Sequence, residues 1–206
     1  MQGEDTKMRN EEYSSFRQLL GEWINGNSKN QSTFLIGIDG CGGSGKSTFA
    51  DKIKEDFLDV TVVHMDDFYL PSSLIMKKEP TKKPIGADFD WIRLLNQVLE
   101  PLSQEKVGYY QRYDWETDSL AEWHTVPIGG IVIIEGVYTI RKELSDKYDL
   151  KIWVDCPRDI RLSRGLERDG EEAREMWESN WMVSEDMYVE EHKPFERADL
   201  IVIGVK

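Results

Sequence analysis

Cysteine is scarce in this chain: Cys41 and Cys156 are the only two in 206 residues. Two thiols cannot build a disulfide framework, and neither stands in a CxxC-type pair that would mark a metal site. Long apolar runs are missing as well. Stretches such as Ile131-Val132-Ile133-Ile134 have strand length, far below the roughly 20 residues of a membrane span. No secretory apolar segment follows Met1, so the expected compartment is the cytoplasm, with no membrane partner. Cations are few, 26 Lys and Arg against 39 Asp and Glu, for a formal charge of −13. That balance excludes broad binding to nucleic acid or anionic membranes, which need a basic face. A small anionic ligand stays open wherever cations are concentrated locally.

What is present is the material of a core. Hydrophobic residues make up 39% and aromatics 11% of the chain, too much for wholesale disorder. The length suits one domain over residues 1–206, with a small lid. Phe16, Leu19, Leu20 and Trp23 recur at three- and four-residue steps, which predicts a helix from about Asn10 to Ile24 within residues 1–31. Apolar strands are expected at Thr33–Ile38, Val60–His64, Ile131–Ile134, Leu150–Val154 and Leu200–Ile203, with helical patterns between them. Asp90 reads as the cap of a helix that Pro101 closes, and residues 104–127 read as short strands and a loop rich in aromatics. Strands alternating with helices predict a parallel α/β sheet covered on both faces.

Gly40-Cys41-Gly42-Gly43-Ser44-Gly45-Lys46-Ser47 satisfies GxxxxGK[ST], between an apolar strand and a helical pattern. The spacing has a chemical reason. Glycines let the backbone wrap closely, so that N–H groups point at phosphate oxygens, and the following helix adds its positive end. Gly40, Gly42, Gly43, Ser44, Gly45, Lys46, Ser47 and Thr48 are therefore the expected nucleotide contacts. Lys46 would reach the β- and γ-phosphates and the Ser47 hydroxyl would bind Mg²⁺. Cys41 reads as a small loop residue and not as a nucleophile.

The second strand runs into His64-Met65-Asp66-Asp67-Phe68-Tyr69. Ligands of open α/β sheets sit beyond the carboxyl ends of the strands, which sets Asp66 near a γ-phosphate. A carboxylate there can take a hydroxyl proton from an acceptor and help to organise Mg²⁺. Asp67 reads as structural and His64 as a bland strand-end residue. In Ile131-Val132-Ile133-Ile134-Glu135-Gly136, the Glu135 carboxylate closes a second strand and would hold the Mg²⁺ hydration shell.

The ordered set Gly40–Ser47, Asp66-x-Phe68-Tyr69, Tyr113-Asp114, Glu135-Gly136 and Arg161-Leu-Ser-Arg164 resembles the uridine kinase branch of the P-loop kinases, with phosphoribulokinase and bacterial pantothenate kinase as more distant relatives. It runs from about Phe34 to Ile203. The resemblance implies a five-stranded parallel sheet of order 2-3-1-4-5, ATP as donor, Mg²⁺, and a tendency to form homo-oligomers. It also implies Asp66 as base, Tyr69 and Tyr113 at the acceptor, and Glu135 as the magnesium-organising acid.

Arg158, Arg161, Arg164 and Arg168 share one face of an expected helix in a lid over residues 158–192, and no lysine occurs between Lys151 and Lys193. Guanidinium groups suit phosphate recognition. By the resemblance, Arg161 belongs near the acceptor and Arg164 and Arg168 near the phosphate in transit. Arg158 reads as a surface residue. Two positions depart from the family. Asp118 stands where a pyrimidine-reading His is usual, and Asp88 is the available substitute for the Asp that grips sugar hydroxyls. The expected activity is phosphoryl transfer from ATP to a small-molecule hydroxyl, a nucleoside first. Pantothenate, a sugar phosphate, or a nucleotide sensor without an acceptor are the other readings.

Overall fold

A computed structural model describes residues 15–18, 20–22, 24, 26 and 32–204. Five strands form one parallel sheet: β1 (Thr33–Asp39), β2 (Val60–His64), β5 (Gly130–Glu135), β6 (Leu150–Asp155) and β7 (Leu200–Ile203). Their order is β2-β5-β1-β6-β7, which is 2-3-1-4-5 when only these strands are counted. Strands β3 (Gly108–Asp114) and β4 (Ser119–Val126) pair antiparallel as a separate hairpin.

Alternation along the buried strands divides the core between the two faces. Phe34, Ile36 and Ile38 of β1 join Ile131 and Ile133 of β5 on one face. Helix α1 (Lys46–Asp56) covers them with Phe49, Ala50 and Ile53, at the spacing of a helix stripe. Phe16 and Leu20, at helical positions ahead of β1, are buried in the same cluster. The expected start of that helix near Asn10, with Leu19 and Trp23, lies outside the described residues. Leu35, Val132 and Ile134 point to the other face, against Leu94, Val98, Leu99 and Leu102 of helix α2 and Tyr110 and Val126 of the hairpin.

Helix α2 is composite: Trp91–Leu94, a π-helical turn Leu95–Leu99, then Glu100–Ser103. Its cap is as expected, the Asp90 carboxylate accepting from the Arg93 N–H at 3.0 Å. Its end is not, because the helix passes Pro101. A wider π turn just ahead moves the carbonyls that a proline ring would otherwise strike.

Helix α3 (Arg158–Asp169) follows β6, and a second composite helix, α4, comprises Arg174–Met176, the π turn Trp177–Trp181 and Met182–His192. The glycine loop after β1, the turn Met65–Phe68 after β2, and Glu135-Gly136 at the end of β5 all lie at the carboxyl edge of the sheet. Parallel topology thus gathers the candidate residues at one rim. No described helix is long and apolar enough to cross a membrane.

Candidate active site

A cavity of about 660 Å³ opens at that rim, between the glycine loop, the hairpin and α3–α4. Gly42, Gly43, Gly45, Lys46, Ser47, Thr48, Asp66, Tyr69, Asp88, Glu135, Arg164 and Arg168, all singled out in the sequence, line it. Gly40 and Ser44 form the base of the loop, where Ser44 is fully buried. Gly43 must be glycine for α3 to approach: a Cβ there would stand 2.5 Å from the Arg161 carbonyl oxygen. Lys46 is buried and its Nζ donates to the Cys41 carbonyl at 3.1 Å. Burial pushes the Cys41 thiol up to about 12, which agrees with an unreactive loop residue.

The acids are arranged in a chain. Ser47 Oγ donates to Glu135 Oε1 at 3.2 Å, and His64 Nδ1 lies 2.6 Å from the same oxygen. His64 is therefore more than the bland strand-end residue expected. His64 and Glu135 are register partners at the ends of neighbouring strands, so the sheet order itself brings them together. Burial opposes the Glu135 charge, but the bond from His64 and the charge of Lys46 hold its pKa below the usual value. Asp66 behaves oppositely. Burial, then the Glu135 charge, raise its pKa, while Lys46, His64 and Arg168 pull it back. Two carboxylates in different environments beside a lysine are suited to different tasks, one accepting a proton and one staying ionised.

The helix arginines separate. Arg164 and Arg168 face the cavity, with Arg164 Nη1 on the Gly43 carbonyl at 3.1 Å and Arg168 doubly bonded to Asp169 at 2.7 and 2.9 Å. Arg161 does not reach the acceptor side. A three-residue step turns a helix by about 300°, so Arg161 is rotated about 60° from Arg164 and points behind the loop. There it is buried and bonds Glu185 at 2.9 Å. Arg158 is an exposed partner of Asp186, and Arg174 pairs with Glu171 and Glu178 outside the cavity.

Two acceptor-side expectations also change. Asp118, in the hairpin turn, accepts from the Ser72 N–H at 2.8 Å, from the Ser72 hydroxyl, and from the Tyr113 hydroxyl at 2.7 Å. Those bonds turn its carboxylate towards the loop after Tyr69, and it does not line the cavity. Tyr113 is buried one layer back, its ring 5.6 Å from that of Tyr69 and edge-on to Trp115 at 5.0 Å. The wall itself is made by Tyr69, Phe89, Trp115 and Tyr138, and Trp115 packs on Tyr69 at 4.6 Å. Of the other aromatics in the stretch, Tyr110 is buried, its hydroxyl 2.7 Å from Asp67, and Tyr109 stacks on Trp123 on an exposed face. Asp88 is in the wall, held by Lys83 through two bonds of 2.9 Å.

Sequence reasoning missed Lys83, Trp177 and Glu185. Trp177 fits against α3 only because Gly165 has no side chain, a Cβ there standing 2.4 Å from the indole. None of these residues sits in a recognisable motif. The signal for Lys83 was its neighbourhood, five residues before Asp88; for Trp177 and Glu185 there was none short of the fold.

A family model described as "Phosphoribulokinase / Uridine kinase family" matches residues 35–205. Uridine kinase of Ureaplasma parvum serovar 3 is 31% identical over 159 residues, 72% of this chain and 75% of that protein. Uridine-cytidine kinase A of Dictyostelium discoideum is 32% identical over 155 residues, 71% of this chain but only 30% of that much longer protein. Among solved structures, one described as a possible uridine kinase from Bacillus stearothermophilus superposes with a TM-score of 0.66 at 25% identity, covering 89% of this chain and 98% of that one.

Proposed function

The chain belongs to the phosphoribulokinase / uridine kinase family and is a P-loop kinase of uridine kinase type, and from that premise we propose that it transfers the terminal phosphate of ATP to a hydroxyl of a small molecule, a nucleoside first. The observation that supports this most is convergence. Lys46, Ser47, Asp66, Glu135, Arg164 and Arg168 line one cavity whose other wall is aromatic and carries Asp88.

In this reading the loop amides and Lys46 hold the β- and γ-phosphates, while Arg164 and Arg168 meet the charge on the phosphate in transit. Asp66 takes the proton of the attacking hydroxyl, and its raised pKa makes it a better base than an exposed carboxylate. Alignment of hydroxyl and phosphate does the rest, since phosphoryl transfer depends chiefly on positioning and charge. Trp177, Trp181 and α3 line the cavity beside the loop, and in this reading they limit access of water.

The donor set suits Mg²⁺. Ser47 and Glu135 offer adjacent hard oxygens, and the mutual repulsion of Asp66 and Glu135 leaves room for a counter-cation. Among the described residues no cluster of three or more His, Cys, Asp or Glu could hold a metal alone. That is consistent with an ion that is bound by one or two carboxylates and completed by phosphates and water. Ser47, Glu135 and Asp66 would hold it, and it would neutralise phosphate charge.

On the acceptor side, Tyr69 and Trp115 offer ring faces and Asp88 offers an oxygen pair for hydroxyls, a combination that fits a nucleoside. The engagement of Asp118 elsewhere removes one base-reading group and favours keeping pantothenate and sugar phosphates as second candidates. A transfer assay with ATP and Mg²⁺ over nucleosides, pantothenate and sugar phosphates tests the proposal. Phosphorylation of one acceptor well above ATP hydrolysis supports it; ATP binding with no transfer to any would favour a sensor.

A further inference from the structure

Glu185, in the first turn of the α-helical part of α4, touches the glycine loop directly. Its Oε1 accepts the Gly42 N–H at 2.7 Å and its Oε2 accepts from Arg161 Nη1 at 2.9 Å. Both side chains are nearly closed to solvent, at 6% and 7% exposure. The same helix sends the Tyr188 hydroxyl to Asp39 Oδ2 at 2.7 Å, just before the loop begins. The Trp177 ring lies over the loop as well, 2.9 Å from where a Cβ of Gly42 would be. The loop is thus gripped at its root and at its third residue by one helix, about 143 residues further along the chain.

Backbone N–H groups are what such a loop offers to phosphate, and they work best when already aimed. A carboxylate on one of them takes that N–H for itself and anchors the loop there, leaving the following amides to face the phosphates, but on its own it would repel the phosphates next to it. Arg161 removes that objection, because the pair is neutral. We propose that Glu185 is a positioning residue for phosphoryl transfer: it holds the Gly42 amide, and through it the rest of the loop, in the arrangement that receives the donor's phosphates, with Arg161 as its fixed counter-charge. This rests on the reading of the loop as the ATP site. It assigns Arg161 to support of the loop, in place of the acceptor contact expected from the sequence.

The test compares Arg161→Met/Glu185→Gln with Arg161→Met/Glu185→Ala. Methionine removes the buried cation in both, so neither variant strands an ion. Glutamine keeps an acceptor oxygen for the Gly42 N–H and alanine does not. Calorimetric titration with ATP and Mg²⁺ gives affinity and the number of sites separately. The alanine variant is expected to bind ATP about tenfold more weakly than the glutamine variant, the equivalent of one lost hydrogen bond, with near-full stoichiometry in both. Equal affinities overturn the proposal, as does a loss that appears only as fewer sites, since that is the mark of a smaller folded fraction. Amide hydrogen exchange at Gly42 in the nucleotide-free wild type decides the matter if neither variant folds. Slow exchange is expected there, and exchange at the rate of a free peptide overturns it. Wild type that binds no ATP, with Gly42 still protected, overturns the ATP reading instead.

Discussion

The imidazole Nδ1 of His64 lies 2.6 Å from Glu135 Oε1, on the same carboxylate oxygen that accepts the Ser47 hydroxyl at 3.2 Å. His64 thereby fixes the orientation of the acid that would face the metal, as supporting partners of metal ligands do. His64→Gln should raise the Mg²⁺ concentration needed for half-maximal transfer by about tenfold. The bond to Glu135 raises the His64 pKa above 6.5. Its contribution to stability is therefore complete below that value and lost as pH rises through the higher folded pKa. Denaturant unfolding of wild type and His64→Gln should show a gap that is full below about pH 6.5 and narrows as pH rises above it; a constant gap would contradict the pairing.

Arg164 and Arg168 face the cavity, whereas Lys77 and Lys78 are exposed and do not line it. Arg168→Ala is expected to lower transfer by about 100-fold, the scale of losing one preorganised charge at a transition state, and Arg164→Ala to lower it comparably. Lys77→Ala and Lys78→Ala should leave the rate unchanged. Equal effects at all four sites would refute the helix assignment.

The loop and the sheet were legible in the sequence because their signals are local. The spacing of Gly40 to Ser47 and the apolar runs of five strands each need only their neighbours. Asp118 and Arg161 were misplaced because their partners, Ser72 and Glu185, are distant in sequence and their directions are set by a turn and by helix rotation. His64 is intermediate. The strand order implied by the family puts β2 beside β5, and both end at the same rim, so its pairing with Glu135 could have been inferred. Glu185 could not. It lies in an acidic, charge-rich segment, where nothing distinguishes it from solvated neighbours until α4 is packed on the loop.

Asp39 is buried, has no counter-ion at bonding distance among the described residues, and accepts from Tyr188, Ile140 and Gly40. Burial raises its pKa from 3.8 to about 6, against the pull of those bonds and of Lys46. The folded state then holds this proton more tightly than the unfolded chain, so stability falls as pH rises from about 4 to about 6. The stability of wild type relative to Asp39→Asn should drop by about 3 kcal/mol across that window, measured by denaturant unfolding. A difference that does not vary with pH would contradict it.

Gly165 leaves the Trp177 ring only enough room for a hydrogen atom, a Cβ there lying 2.4 Å from Cε2 and Cζ2. Gly165→Ala should cost about 2 kcal/mol by forcing the indole off the loop. Thermal melting reads the cost, and an unchanged melting temperature would show that α3 and Trp177 are not packed in this way.

Transfer by Asp66→Asn tests the account most directly. In a single turnover with saturating ATP, Mg²⁺ and the best acceptor, wild type should phosphorylate the hydroxyl and the variant should do so about 100- to 10,000-fold more slowly, because the proton has lost its acceptor. ATP affinity should fall far less than the transfer rate, since Lys46, the loop amides, Ser47 and Glu135 are untouched. Undiminished transfer by the variant would contradict the account.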